Sequence, residues 1–428
     1  MPMKVLRSHS QGESLAGWLA FVTLAVVATG MAYTLWWPTV VRHHSWYWVE
    51  PGDIWGTVRA SHWILWGGFS FVYSSQTGLV TLPGFHLLLT PFVALSSALG
   101  LTETAPGYLP VPKPHTWLIV GPATLACSGV ALFALDSLAR HLGVTRRWRK
   151  VLAVAEGAVL WETMAIWGHA EDVLALGFVV FALVRLLKGH ERSAGWLLGA
   201  AIGAQLYVIA LVPLFIGFIG LRKSVALLAR AAVIPGFLFV AMAIPNPHDT
   251  FHALFDQPNY PTVDYPTPWM LISPKLGRHA VAAGPARLIG LAVAVTLGVV
   301  ASKRRHHPLL LVWLAAVILT ARSVFESVMD PYYIVPALAV ALVLAARQGP
   351  VRFVLAGMAS AGLVVLTYHR LGMWNYWLAM TGIFLALLVV TFPGRRLSTF
   401  EPPGMGEDGF ERARPPEDID ERVALSNA

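Results

Sequence analysis

The sequence predicts an all-α protein, a polytopic transmembrane helical bundle of about 12 crossings. Three observations predict this fold class. Apolar runs of membrane-spanning length recur from Leu15 to Phe392, 56% of the 428 residues are hydrophobic, and only 13% are charged. This composition excludes an ordinary soluble globular protein. The one cysteine, Cys127, lies inside an apolar run, which excludes disulfides within the chain and cysteine-based zinc sites.

The excess positive charge is concentrated in the short segments between the apolar runs. The formal net charge is +8, and most of the excess lies in 140–150, 222–223 and 303–305. Because basic segments stay in the cytoplasm, these positions predict a multi-pass protein of the plasma membrane with both termini cytoplasmic. The charge then needs no nucleic-acid partner.

The two ends of the chain are predicted to lie outside the transmembrane domain, which spans 15–396. Residues 1–14 form a cytoplasmic N-terminus, since the first apolar run is too long for a typical signal peptide and is interpreted as a retained helix. Residues 397–428 are rich in Pro, Gly and charged residues and are predicted to be a disordered cytoplasmic tail.

The predicted crossings follow from this sidedness. Outward helices are predicted at 15–37, 151–167, 224–244, 309–321 and 353–368. Inward helices are predicted at 117–138, 173–187, 281–301, 332–346 and 376–392. The run 194–220 has basic residues at both ends, so it must cross twice, and a break is expected near 205–207. Its Gly195, Gly199 and Gly203 allow close backbone packing.

Two external segments carry polar residues. The first, 38–116, contains an interfacial amphipathic helix from Ile54, with Trp55, Arg59, His62 and Trp66 on one stripe. A crossing at 79–101 would place the basic residues near 147 outside, so this run is expected to lie in, or dip into, the outer interface. The second external loop, 245–280, is rich in proline.

Asp53 is the first candidate for chemistry. A carboxylate beside an interfacial helix can act as general base toward a sugar hydroxyl, which contributes roughly 10²–10⁴-fold in rate. The alternative is that Asp53 only caps the helix at Ile54, which is worth about 1 kcal/mol. Glu50, three residues earlier, is a second candidate carboxylate for substrate binding.

His169, Glu171 and Asp172 lie between two predicted helices and form the second candidate group. Acidic residues at a helix start satisfy free backbone amides, which explains one carboxylate better than a pair beside a histidine. The functional interpretation is that they bind sugar hydroxyls or assist the base. Metal binding has weaker support, because this segment lacks His-x₃-His or Glu-x-x-His spacing. No metal is predicted.

Arg322, Glu326, Asp330 and Tyr332 form the third group. Arg322 lies at an outer helix end, against the positive-inside trend. It can contact a lipid phosphate, or it can simply pair with Glu326 four residues later. Asp330 precedes Pro331 and also fits a helix cap, and Tyr332 also fits an interfacial aromatic.

The remaining candidates for substrate binding lie at the same predicted face. His369 and Arg370 end the helix 353–368, where a snorkelling arginine is the alternative. Arg59 and His62 belong to the interfacial helix. The predicted topology therefore gathers all these polar residues on the outer face of the membrane.

Two stretches of the chain resemble the GT-C class of integral-membrane glycosyltransferases, especially polyprenyl-phosphate-mannose-dependent mannosyltransferases. One is the Val-Glu-Pro-Gly-Asp-Ile-Trp stretch that contains Asp53. The other, Gly-His-Ala-Glu-Asp-Val-Leu-Ala-Leu at 168–176, is similar to a GHPED-x-LAL stretch, with Ala170 where related sequences often have Pro. The run 195–213 also resembles their paired half-helices.

This resemblance implies a GT-C-like bundle in which Asp53 deprotonates the acceptor hydroxyl. The implied partners are a polyprenyl-phosphate sugar donor, a glycolipid or glycan acceptor, and membrane lipids, without a cofactor. Transfer would invert the configuration at the anomeric carbon of the sugar, and Arg322 or Arg370 would stabilise the departing phosphate. The first external loop lacks the Asp-x-Asp or Asp-Glu pair of some relatives.

Two other functions fit parts of the sequence. A transporter or flippase would place ionisable residues near mid-membrane on broken helices, and the run 194–220 fits that description. A non-catalytic scaffold for envelope assembly predicts no tight group of outer polar residues. The arrangement of these residues in space therefore distinguishes the three hypotheses.

Overall fold

A computed structural model describes the chain over residues 14–41, 51–74, 77–103, 111–112, 114–304, 307–369 and 371–394. The predicted N-terminal segment and tail, and the candidates Glu50 and Arg370, lie outside these residues apart from Ser14. The α-helices of the described ranges are α1 Ala16–Val41, α2 Ile54–Leu65, α3 Gly84–Ala98, α4 Trp117–His141, α5 Arg146–Ala165, α6 Ala170–Leu187, α7 Glu191–Ala204, α8 Val212–Ile219, α9 Leu221–Ala243, α10 Pro247–Phe251, α11 Arg287–Lys303, α12 Pro308–Val324, α13 Pro331–Gln348, α14 Pro350–Thr367 and α15 Met373–Thr391.

The described chain is otherwise nearly free of sheet. Strands β1 Thr102–Glu103 and β2 Val111–Pro112 pair antiparallel over two residues each. Short 3-10 or π turns connect several helices, at Phe69–Phe71, Pro114–Thr116, Leu206–Leu211, His252–Asp256 and Pro268–Ile272. The predicted all-α class is confirmed for the residues described.

Six helices of the described chain are long and apolar enough to cross a membrane: α1 over Ala16–Trp36, α4, α9, α13, α14 and α15. Large apolar side chains such as Leu24, Phe237, Met358 and Val389 are exposed on the outside of the bundle. Such a surface suits contact with lipid. These features support a multi-pass membrane protein, and the count of about 12 crossings stays a prediction.

Helix α13 lies at the centre of the bundle. It contacts α4, α5, α6, α12, α14 and α15. Its side chains are buried almost continuously from Ile334 to Ala346. A helix that is apolar all round must be surrounded by other helices, so α13 provides the core on which the others pack.

The predicted break near residue 205 is confirmed. Helix α7 ends at Ala204, and Gln205 adopts an extended conformation while its side chain accepts a hydrogen bond from the Leu206 backbone N–H. A Cβ on Gly199 would lie 2.7 Å from the Ala231 carbonyl oxygen, so glycine lets α7 pack directly on the backbone of α9.

Two helix starts differ from the prediction by more than a few residues. Helix α5 begins at Arg146, five residues early, because Arg149 is 1% exposed and binds Asp136 through Nε and Nη2 at 2.7 and 2.6 Å. Helix α11 begins at Arg287 instead of residue 281. Val281 exchanges two backbone hydrogen bonds with Asn259. These bonds hold the start of the predicted helix in an extended conformation ahead of α11.

In the described part of the segment predicted to be the first external one, two short helices pack on each other. Helix α2 begins at Ile54 as predicted, and α3, with Pro91 inside it, is shorter than the six candidate spans. His62, predicted to share one stripe of α2 with Trp55, Arg59 and Trp66, is buried inside the protein. His62 is 5% exposed, because α3 covers this side and Ser61 donates a hydrogen bond to the His86 carbonyl.

Candidate functional site

The turn before α2 meets the turn before α6 through one side-chain contact. Asp53 stands at the N-cap position of α2 but makes no capping hydrogen bond with its side chain. Its Oδ2 instead lies 2.9 Å from His169 Nε2, across 116 residues of sequence. The Asp53 side chain is 56% exposed, so a substrate can reach it. The Asp53 side chain therefore does not cap α2, contrary to the alternative offered by the sequence.

Gly168 allows these two turns to approach. Its φ is +83°, and a Cβ there would lie 2.9 Å from the Ile54 backbone nitrogen and 3.1 Å from Pro51 Cβ. The His169 backbone N–H donates to the Thr163 carbonyl at 3.1 Å, which fixes the end of α5 against the start of α6. A glycine is required here both for the positive φ and for the contact.

His169 lies between three carboxylates. Its Nδ1 is 2.9 Å from Glu171 Oε1 and 3.3 Å from Asp172 Oδ2, at ion-pair distances but without the angles of hydrogen bonds. Both acids lie in the first turn of α6 and are buried. Burial lowers the pKa of His169, but Glu171 first, then Asp172 and Asp53, raise it well above its usual value. The three carboxylates thus favour the protonated imidazolium form of His169.

The start of α13 closes the other side of His169. The Tyr332 ring stacks on the imidazole with centroids 3.4 Å apart and an interplanar angle of 17°. The Tyr332 hydroxyl donates to Asp330 Oδ2 at 3.2 Å, and Asp330 Oδ1 accepts a hydrogen bond from the Tyr265 backbone. Burial, and then the nearby Asp264, raise the pKa of Asp330 to about 7.

A second group of charges lies next to the first. Arg322 stacks over Tyr333 at 3.9 Å and lies 5.6 Å from the Tyr207 ring. Its Nε is 3.7 Å from Glu326 Oε1, whereas Arg287 Nε is only 2.6 Å from Glu326 Oε2. The pair of Arg322 with Glu326, which the sequence offered as an alternative to phosphate binding, is thus the looser of the two contacts.

The two groups are joined by hydrogen bonds and by the chain itself. The Tyr207 hydroxyl, from the broken segment between α7 and α8, donates to the Asp172 carbonyl at 3.2 Å. Tyr332 and Tyr333 are adjacent and pack edge to face at 4.9 Å. We call Asp53, His169, Glu171, Asp172, Tyr207, Arg287, Arg322, Glu326, Asp330, Tyr332 and Tyr333 the polar cluster.

Arg287 was not among the predicted site residues. It begins α11, and its guanidinium also donates to the Gln257 side chain. The sequence did carry a signal for it, since Arg287, like Arg322, is a cation at the end of an apolar run that the topology places outside. The late start of α11 moves Arg287 from inside a predicted crossing to its outer end.

Three further predicted residues have other neighbours. Arg59 lies over the ring of Trp55, 5.9 Å from its centroid. His62 packs against Trp63 and Trp66 of its own helix. His369 is exposed after α14. Their described contacts place none of them in the polar cluster, and Arg370 lies outside the described residues.

Glu162 forms a smaller group beside the cluster. It is buried, as expected for a carboxylate inside an apolar helix. Its Oε1 accepts hydrogen bonds from Trp167 Nε1 at 2.6 Å and from the Tyr368 hydroxyl at 3.3 Å. Trp167 packs edge to face on Tyr265, whose backbone binds Asp330. This group therefore contacts the polar cluster through the packing of Trp167 on Tyr265.

One part of the cluster has donors that suit a cation. Ligand atoms of His169, Glu171 and Asp172 all lie within 4.8 Å of one another. A nitrogen ligand and carboxylate oxygens can hold a divalent metal. His169 must be deprotonated to ligate, so a metal and the imidazolium are mutually exclusive at Nδ1.

Comparison with known proteins adds little to this geometry. No protein-family model and no curated protein matches the chain. Among solved structures, it is similar to the crystal structure of ArnT from Cupriavidus metallidurans in the apo state. The sequences are 14% identical, the TM-score is 0.43, and the match covers 88% of this chain and 76% of that one. A likeness this distant carries no argument about function.

Proposed function

We propose that the protein is an integral-membrane glycosyltransferase. It transfers a sugar, which the sequence resemblance suggests is mannose, from a polyprenyl-phosphate donor to a lipid-linked or envelope glycan acceptor on the outer face of the membrane. The observation that carries this proposal is the 2.9 Å contact between Asp53 Oδ2 and His169 Nε2. It holds an accessible carboxylate at the edge of a buried polar cluster.

Asp53 is the general base in this proposal. The acceptor hydroxyl transfers its proton to the Asp53 carboxylate as its oxygen attacks the anomeric carbon of the donor. The bond from that carbon to the phosphate oxygen breaks, and the phosphate leaves with the bonding electrons. His169 is a positioning residue that holds Asp53, and Glu171 and Asp172 hold the imidazolium in turn.

The two arginines stabilise the leaving phosphate. Arg322 and Arg287 lie on either side of Glu326, so two cations share one carboxylate and a net positive charge remains. Stacking of Arg322 on Tyr333 fixes the plane of its guanidinium. A planar guanidinium can bind two phosphate oxygens at once, which suits a developing phosphate monoester dianion.

The other two hypotheses have less support. A scaffold has no need for a cluster in which three carboxylates surround one histidine. A transporter requires its ionisable groups near mid-membrane, whereas most of the polar cluster lies at helix ends or in turns: Asp53 before α2, His169 before α6 and Asp330 before α13.

The test is sugar transfer by membranes that contain the Asp53→Asn variant. We expect the transfer rate from radiolabelled polyprenyl-phosphate-mannose to fall by roughly 10²–10⁴-fold, because the amide cannot accept the proton. Asp256→Asn is the matched control, since Asp256 is similarly exposed but pairs with His252. Its rate should equal that of the wild type.

The outcomes separate the role of Asp53 from the identity of the sugar. Unchanged transfer by Asp53→Asn would rule out Asp53 as the base. If the wild type transfers nothing from the mannose donor but is active with another polyprenyl-phosphate sugar, only the mannose assignment is wrong. No transfer from any polyprenyl-phosphate sugar would reject the proposed function.

A further inference from the structure

A cavity lies at the opposite end of α6 from the polar cluster. It has a volume of about 300 Å³ and is formed by the start of α1 and the ends of α4 and α6. Helix α6 has 18 residues. At 1.5 Å per residue it spans about 27 Å, close to the ~30 Å hydrocarbon thickness of a bilayer. The predicted topology therefore places the cavity and the polar cluster at opposite membrane surfaces, each near headgroup depth.

Three cations line this cavity. They are Arg140 at the end of α4, Arg185 in the last turn of α6, and Lys188 just after it. Burial, followed by the charges of Arg140 and Arg185, lowers the pKa of Lys188. The three side chains are thus close enough to repel one another, and holding them together without an anion is unfavourable.

The acid in the cavity wall does not neutralise them. Asp136 lines the cavity, but both of its carboxylate oxygens are bound by Arg149, at 2.7 and 2.6 Å. No ion pair involving Arg140, Arg185 or Lys188 is found among the described residues. The cavity therefore presents a net positive charge.

The remaining lining is apolar. Leu19, Phe133 and Phe181 form part of the wall beside the cations. Phe133 is partly exposed on α4. A cavity with cations and aliphatic or aromatic walls suits an amphipathic anion, with its charged group at the cations and its chain along the apolar side chains.

The positive-inside rule explains why basic residues occur at this end, but it does not explain why they converge. Arg192 and Arg222 lie at the same end of the bundle and follow the same rule, yet they do not line the cavity. We propose that the cavity binds the phosphate group of an anionic membrane lipid, whose acyl chain lies along Leu19, Phe133 and Phe181.

The test compares lipid binding by two double variants of the full-length protein in detergent. Arg185→Gln with Lys188→Gln removes two cavity cations, and Arg192→Gln with Arg222→Gln removes the same charge elsewhere at that end. The apparent Kd for dioctanoyl phosphatidylglycerol is measured from its shift of the thermal unfolding midpoint. We expect at least about tenfold weaker binding for the cavity variant only.

Other ligands and the unliganded proteins complete the design. Dioctanoyl phosphatidylcholine and inorganic phosphate should each bind the wild type much more weakly than phosphatidylglycerol does. Equal unfolding midpoints without lipid show that the variants fold. Equal weakening in both variants, or phosphatidylcholine binding as tightly as phosphatidylglycerol, would overturn the proposal. Inorganic phosphate binding as tightly would assign the cavity to a soluble anion instead of a lipid.

Discussion

His169 is the residue on which the candidate site converges. Its Nε2 faces Asp53, its Nδ1 faces Glu171 and Asp172, and its ring stacks on Tyr332. These contacts favour the protonated ring, because the three carboxylates outweigh the effect of burial on its pKa. The charge of one histidine thus holds together turns that precede two different helices.

This charge predicts a dependence of stability on pH. The pKa of His169 in the folded state lies above its value in the unfolded chain, which is about 6.5. The contribution of the protonated ring to stability is therefore fully present below about pH 6.5. It is lost as the pH rises through the folded pKa. We expect the gap in unfolding midpoint between wild type and His169→Gln to be larger at about pH 6 than at about pH 9.

His248→Gln is the control for this measurement. His248 also contacts a carboxylate, that of Asp249, but its side chain is almost fully exposed. Its removal should leave the midpoint nearly unchanged at both pH values, since exposed ion pairs contribute little. A gap for His169→Gln that is constant or widens with pH would contradict the assigned imidazolium.

For other residues too, the sequence left two explanations open and the contacts in the structure distinguish them. Asp330 does precede the helix α13 as a cap would, with Pro331 first in the helix, but its carboxylate binds Tyr265 and Tyr332. For Glu326, the alternative to substrate binding was a pair with Arg322, which is four residues away on the chain. Its shorter contact is with Arg287, 39 residues away.

Among the elements, the turn between α5 and α6 determines where the candidate base stands. It carries His169 at its end and touches the turn at 51–53 through Gly168. The broken segment between α7 and α8 supplies Tyr207 to the same place. Short irregular segments therefore position the polar cluster, while the long helices hold those segments in place.

The Gly168→Ala variant tests this turn. Alanine at φ +83° costs about 1 kcal/mol or more, and its Cβ would meet the Ile54 nitrogen at 2.9 Å. We expect the Asp53 turn to shift away from His169, so that sugar transfer falls at least tenfold if the proposed function is right. Both the rate and the unfolding midpoint should be measured.

The Gly189→Ala variant separates the effect of the contact between Gly168 and Ile54 from the effect of backbone strain. Gly189 has a similar φ of +75°, but a Cβ there would meet nothing within 4 Å. This variant should lose a comparable amount of stability from backbone strain and keep its transfer activity. If both variants lose activity equally, the contact between the two turns has no role in positioning Asp53.

At the scale of the whole molecule, the bundle sorts polar groups to its two ends. The polar cluster occupies the end where α6 and α13 begin, and the cationic cavity occupies the end where α4 and α6 finish. Between them, α13 and its neighbours form an apolar core. That the basic end faces the cytoplasm stays a prediction from the positive-inside rule.

Cysteine labelling tests that sidedness directly. Gly52→Cys and Arg192→Cys are made separately in a Cys127→Ala background, and both positions are exposed. We expect a membrane-impermeant maleimide to label Gly52→Cys on intact cells and Arg192→Cys only after permeabilisation. Labelling of both from the same side would show that the predicted topology is wrong.

Apart from the starts of α5 and α11, the sequence by itself determined the helix positions to within a few residues, the break near Gln205, and most residues of the polar cluster, Arg287 excepted. These follow from local properties, since hydropathy, length and charge bias act within one segment. Only the tertiary structure decided the partners. Asp53 binds His169 instead of capping α2, and Arg287 joins Glu326, because contacts across 116 and 39 residues depend on how the helices pack.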